Sequence, residues 1–73
     1  MTRANEITDQ QLEGFCEWYG QRFKKRMTRR AWFETSLEGA MHVPARDVKD
    51  LLRRMEALDL IRATKANVVL LKR

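Results

Sequence analysis

From residue 12 onward, large apolar side chains return every three or four positions: Leu12, Phe15, Cys16, Tyr19 and Phe23. This spacing is one face of an α-helix, and no alternating strand pattern fits it. Thr8-Asp9-Gln10-Gln11 just ahead has the form of a capping box, in which the Thr8 hydroxyl accepts from the N–H of Gln11 and the Gln11 side chain reaches back. The pattern predicts a first helix over residues 9–24, with Glu13, Glu17 and Gln21 on its far side. Gly14 and Gly20 weaken it by ~1 kcal/mol each relative to Ala where exposed. Trp18 lies about 120° from the centre of the stripe at 100° per residue. It either laps over the core edge or stands out as a contact residue.

Lys24-Lys25-Arg26-Met27 reads as a basic hinge, after which Thr28 offers a second N-cap. A shorter helix is predicted over residues 29–38, with an apolar edge made by Phe33, Leu37 and Ala40, Ser36 alongside, and Trp32 turned well away. Gly39 is expected to end it, and Ala40-Met41-His42 to form the turn. The third helix is predicted over residues 44–57, with Pro44 at its first position, where a missing N–H costs nothing. Its buried stripe is Val48, Leu51, Leu52, Met55 and Leu58. On the opposite side Arg46, Lys49 and Arg53 fall within about 60° of one another, flanked by Asp50 and Ala57. Lys49 and Arg53 are like charges four apart, unfavourable in an isolated helix, so a compensating partner outside the fold is expected.

Two β-branched-rich runs, residues 60–63 and 68–71, are separated by Thr64-Lys65-Ala66-Asn67 and read as a hairpin with a polar tip, ending in Lys72-Arg73. The run from Val68 to Leu71 shows no polar alternation, so part of both its faces should be covered. The expected fold class is therefore mainly α with a small β-hairpin: three helices and two strands in a single domain over residues 1–73. No repeat or linker interrupts the chain.

Composition adds limits. The chain has 73 residues, 44% hydrophobic and 34% charged, with three Gly and one Pro, which is the make-up of an ordered globular domain rather than a disordered one. One cysteine excludes an internal disulfide and any multi-cysteine centre. With one histidine besides, zinc or iron–sulfur ligation has too few donors, and no cofactor or metal is expected. No apolar run approaches the ~18 residues of a membrane span, and the first residues lack the apolar segment of a signal peptide, so a cytoplasmic location without membrane association is expected. A lone His, a distant lone Cys and no Gly-rich phosphate loop provide no nucleophile–base–orienter set. Neither catalysis nor a small-molecule substrate is expected. Cys16, on the core stripe, reads as a buried apolar residue, and His42 as a turn residue without a ligand role.

The net charge of +5 is uneven. Residues 1–20 set Arg3 against Glu6, Asp9, Glu13 and Glu17, whereas the remainder carries fourteen Lys or Arg and six Asp or Glu. An acidic first helix followed by a basic remainder points to one face for a polyanion and one that avoids it.

The order helix, helix, turn, amphipathic helix, hairpin resembles the winged helix-turn-helix superfamily. From Leu37 onward the likeness runs along the residues: Leu37, Met41, Val43, Val48 and Leu51 fall where that motif has its buried positions. Arg53-Arg54-Met55-Glu56-Ala57-Leu58-Asp59-Leu60-Ile61 is similar to the motif's exit from recognition helix into wing. Asp59 stands where Gly is common, and Glu38 and His42 stand where a small residue and a Gly are usual, with Gly39 nearby to take over the turn.

The resemblance implies double-stranded DNA as partner and a regulatory role, in transcription or on a mobile element. Arg46, Lys49, Asp50 and Arg53 would then reach base edges: Arg and Lys suit guanine O6 and N7, and Asp50 suits cytosine N4 or orients Arg46 and Arg54. Arg62, Lys65 and Asn67 would lie at the wing, near a minor groove or backbone. Lys24, Lys25, Arg26, Arg29 and Arg30 would hold phosphates.

Other readings compete. The third-helix face could be a solvated surface paired internally through Arg46–Asp50 and Asp50–Arg54, and the basic cluster over residues 24–30 could complement the dipole of the first helix. The same fold also serves as a protein–protein adaptor, through its basic face or a Trp18 surface. RNA is less favoured, because no aromatic stacking platform is evident. Trp18 and Trp32 are expected to be structural. If the protein forms a homodimer, its contact is expected on the first helix beside Trp18.

Overall fold

The Thr8 capping box forms as the sequence predicts: Thr8 Oγ1 accepts from the Gln11 N–H at 3.1 Å, and Gln11 Oε1 accepts from the Thr8 N–H at 2.8 Å. The helix it starts, α1 (Asp9–Phe23), ends on Lys24, which adopts the left-handed conformation at φ 53°. Leu12, Phe15, Cys16 and Tyr19 are buried, while Phe23, at the last helical position, is 45% exposed rather than part of the core. The computed structural model describes residues 2–71; Lys72 and Arg73, expected to end the hairpin, lie outside the described residues.

The segment read as a hinge and helix start holds a strand instead. β1 (Met27–Arg29) pairs antiparallel with β3 (Asn67–Leu70), which pairs on its other side with β2 (Ile61–Ala63). The hairpin predicted as two-stranded is thus two strands of a three-stranded sheet in the order β1-β3-β2. Such a hairpin is marginal alone, and a third strand gives β3 partners on both edges. Thr28, expected to cap α2 (Arg30–Met41), places its hydroxyl against Tyr19 Oη at 2.9 Å. Arg29 occupies the cap position without a side-chain hydrogen bond, and the Arg30 N–H donates to the Ala66 carbonyl at 2.9 Å.

α2 does not stop at Gly39. It runs on to Met41 and ends on His42, whose φ of 57° is left-handed and whose N–H donates to the Glu38 carbonyl at 2.9 Å. The extra residues keep Met41 against the core and deliver Val43 into it. Pro44, with ψ 155°, is the cap rather than the first residue of α3 (Ala45–Ala57).

α3 buries Val48, Leu51, Leu52 and Met55, but Leu58, placed in the predicted stripe, is 40% exposed. The helix ends before it. Asp59 takes φ 60°, its N–H donates to the Glu56 carbonyl at 3.0 Å, and the Leu60 N–H donates to the Met55 carbonyl at 2.9 Å. This is a Schellman ending, and it turns Leu60 into the core in place of Leu58. Asp59 thus takes the left-handed position for which glycine is the usual residue.

The outcome is a mainly helical α+β domain, three helices with a small three-stranded antiparallel sheet over one apolar core. Period-2 alternation sorts the sheet: Thr28, Ile61, Val68 and Leu70 face inward, and Met27, Arg29, Arg62, Asn67 and Val69 face outward. Among the described residues no helix is long and apolar enough to cross a membrane.

Candidate nucleic-acid interface

The apolar stripe of α3 fixes what its other side presents. With Val48, Leu51, Leu52 and Met55 buried, the 3.6-residue repeat turns Arg46, Lys49, Asp50 and Arg53 to solvent, and all four are exposed. The basic groups span eight residues, about 10 Å of helix axis. Among the described residues, the ion pair on this face joins Arg53 Nη1 to Asp50 Oδ1 at 3.7 Å. Its side chains are 78% and 61% exposed, so it contributes at most a few tenths of a kcal/mol and leaves the guanidinium available.

The internal pairing considered from sequence does not form. Asp50 meets Arg53 rather than Arg46 or Arg54. Arg54 lies on the other flank, where Nη2 reaches Asp9 Oδ1 at 2.7 Å and Nη1 donates to the Ala4 carbonyl at 3.0 Å. On that flank too, Asp47 is 4% exposed and its carboxylate accepts from Arg3 Nε and from the Ala4 N–H, both at 2.9 Å. The hydrogen bond from Arg3, then that from Ala4, holds the Asp47 carboxyl below the usual carboxylate range. Together Asp47 and Arg54 fasten the N-terminal 3-10 turn (Ala4–Glu6) across α3. A carboxylate at the third helical position is a recognisable N-terminal signal, but its Arg3 partner, 44 residues away, is not legible from spacing.

The hairpin tip lies between α2 and α3. Its Ala63 N–H donates to Glu56 on α3 at 3.2 Å, and the Thr64 carbonyl accepts from Arg30 Nη1 on α2 at 2.9 Å. Lys65 is exposed at the tip, and Arg62 is exposed on the outer face of the sheet. Asn67 is half-buried opposite Arg29.

The basic residues 24–30 do not act as one cluster. Strand pairing spreads them: Arg29 sits beside Asn67 near the tip, whereas the Arg26 carbonyl accepts from Leu70 at the far end of the sheet, about 10 Å away at ~3.3 Å per residue. Lys24, Lys25 and Arg26 are exposed there, around a cavity of about 320 Å³ beside Cys16 and Gly20. Arg29 lies over the Trp32 ring at 5.3 Å. Arg30 is half-buried, with Nε on Glu34 Oε2 at 2.8 Å, and acts as a brace between α2 and the hairpin rather than as a free cation. Two separate groups result: Arg46, Lys49, Asp50 and Arg53 along α3, and Arg29, Lys65 and Asn67 around the hairpin tip.

Burial pushes the Cys16 thiol up to about 12, with the charge of Glu13 adding to it, so the sulfur stays protonated and unreactive at neutral pH. Among the described residues no group of three or more His, Cys, Asp or Glu is placed to hold a metal ion. Both tryptophans are exposed, Trp18 at 51% and Trp32 at 63%, while the Trp18 ring also lies against Phe15, Tyr19 and Phe23. Compared with protein-family models, with curated proteins and with solved structures, the chain matches none.

Proposed function

We propose that this chain is a small winged-helix protein that binds double-stranded DNA as a regulator in the cytoplasm, without catalysis and without a cofactor. One observation carries the reading: Arg46, Lys49 and Arg53 form an exposed basic strip along the outer face of α3, without strong internal partners. Like charges four apart on one helix face repel mildly, and the exposed Asp50 offsets this only weakly, so an external anion would stabilise them further. A duplex supplies such charge at close spacing, and the width of its major groove admits a helix.

The surroundings support the same reading. α2 and α3 are joined by a tight turn at His42, and α3 is followed by a hairpin whose tip carries Lys65. β1 braces that hairpin, which suits a wing that must keep its position against a backbone. In this arrangement Arg46, Lys49 and Arg53 address base edges or phosphates in the major groove, and Asp50 orients Arg53. Arg62 and Lys65 hold the flanking backbone or minor groove, whereas Arg29 and Asn67 line the groove beside Trp32. Lys24, Lys25 and Arg26 contribute to the field that attracts DNA rather than to the same contact.

Fluorescence anisotropy of the purified protein against random duplex DNA at two salt concentrations tests this. Binding should weaken steeply with salt, with a log–log slope of about −0.9 for each phosphate neutralised. Lys49→Ala with Arg53→Ala should weaken binding by ~1–3 kcal/mol for each side chain that addresses a base edge, with an unchanged circular dichroism spectrum. Absence of binding at low salt by the folded protein overturns the reading.

A further inference from the structure

Four of the large apolar side chains left in water stand together. Phe23 at the end of α1, Met27 on β1 and Trp32 on α2 are 45%, 57% and 63% exposed, and together with Tyr19 they line one groove of about 720 Å³. Trp18 extends the apolar surface, its ring centroid 6.3 Å from that of Phe23. α3 contributes nothing to this groove. A chain of 73 residues has few large apolar side chains to place, and leaving four of them together at the surface marks a binding site more than a packing remainder.

The charge around the groove is of one sign. Lys25 and Arg29 line it, Arg22 lies over the Phe23 ring at 5.7 Å, and no carboxylate is part of the lining. We propose that this groove is a second binding site, separate from the α3 face, for an acidic peptide segment of a partner protein that inserts large apolar side chains between Phe23, Met27 and Trp32.

Two other occupants fit less well. A second copy docked symmetrically would set Arg22, Lys25 and Arg29 against their own counterparts, like charge on like charge. Single-stranded nucleic acid would stack its bases on ring faces. Here the rings are inclined to one another, Trp18 to Phe23 by 83° and Phe23 to Tyr19 by 45°, and guanidinium groups lie over Phe23 and Trp32. They form pockets for side chains rather than a platform for successive bases. An acidic segment meets both features at once, with carboxylates for the basic rim and apolar anchors for the groove.

The test is a selection of random displayed peptides on the immobilised full chain, with the Trp32→Ala/Met27→Ala variant as counter-target. Retained sequences should combine Asp or Glu with Phe, Trp, Leu or Met. A synthetic peptide of the enriched sequence should quench or shift the tryptophan emission, and should bind the variant about tenfold or more weakly. Arg22→Glu should weaken the same peptide, and exchanging the peptide's carboxylates for lysines should restore binding to that variant. Lys49→Ala/Arg53→Ala should bind the peptide as the parent does, so failure of the DNA reading leaves this result intact. Thermal unfolding of each variant confirms that the fold is kept. The proposal is overturned by enriched peptides that lack acidic residues or bind the groove variant equally well, or by no enrichment over that variant. It is equally overturned if oligothymidylate competes the peptide away, or if the protein sediments as a dimer that Trp32→Ala dissociates.

Discussion

α3 carries arginine and aspartate on both flanks of its apolar stripe, and the two flanks behave differently. On one, Asp47 and Arg54 are drawn into the fold: Asp47 is buried with two donors at 2.9 Å, and Arg54 reaches Asp9 and the Ala4 carbonyl. On the other, Asp50 and Arg53 stand 3.7 Å apart in solvent, with Arg46 and Lys49 beside them. Residue type does not separate the flanks; cover does. The N-terminal turn shields Asp47 from water and gives its carboxylate fixed donors, whereas Asp50, at the edge of the same turn, stays 61% exposed and takes no donor from it. Charge of the first kind holds structure, and charge of the second kind stays in solvent.

The largest effect comes from removing what both flanks depend on. Leu51 is fully buried between them, and Leu51→Ala should cost ~2–5 kcal/mol, measured as a lower urea midpoint. A domain of this size has little margin, so loss of the clasp and of any ligand binding should follow together. Substitution on the outer flank should separate the two: Lys49→Ala/Arg53→Ala should leave the midpoint within about 0.5 kcal/mol of the parent, as surface changes do, while removing most of the DNA affinity proposed for this face. A drop in stability instead would mean that the outer flank also serves the fold.

The inner flank is sharpened by pH. The Asp47 carboxyl has its folded value lowered, so the folded protein binds fewer protons than the unfolded chain just below the ordinary carboxylate range. The stabilisation is full above the unfolded value of about 3.9 and is lost as pH falls through the lower folded value. Urea midpoints measured from pH 6 down to pH 2 should therefore fall for the parent below about pH 4. Asp47→Asn should start lower at neutral pH and fall less steeply in acid.

How far the sequence shows these differences depends on the range of the interaction. Helical period is enough for the outer face of α3, because burying Val48, Leu51, Leu52 and Met55 leaves Arg46, Lys49 and Arg53 one place to go. The Thr8 cap is equally legible, since all its atoms lie within four residues. β1 is not: three residues, two of them polar, become a strand only because β3, some 40 positions later, offers an edge. That same pairing divides the basic run that looks continuous in sequence. The Arg3–Asp47 clasp and the Phe23–Met27–Trp32 groove are hidden for the same reason, being assembled from segments that meet only in the fold. The end of α2 misleads differently. Gly39 has the usual chemistry of a helix end, but the chain needs its left-handed residue three positions later, at His42.

The smallest expected effect concerns how α3 is held at its end. Asp59 adopts φ 60° to complete the Schellman turn, a conformation that costs an L-residue roughly 1–2 kcal/mol, and less for Asp than for most. Asp59→Gly removes that cost but enlarges the freedom of the unfolded chain, by about 0.4–1 kcal/mol. The two nearly cancel, and a net stabilisation of no more than about 0.5 kcal/mol is expected, read as a slightly higher thermal midpoint. Asp59→Val, whose branched side chain resists this conformation, should instead destabilise the protein. It should do so without altering the charges at Arg46, Lys49 and Arg53. If Asp59→Val changed DNA affinity beyond its effect on stability, the outer flank would depend on the helix ending as the inner flank depends on Asp47, and the distinction between the two flanks of α3 would narrow to one of degree.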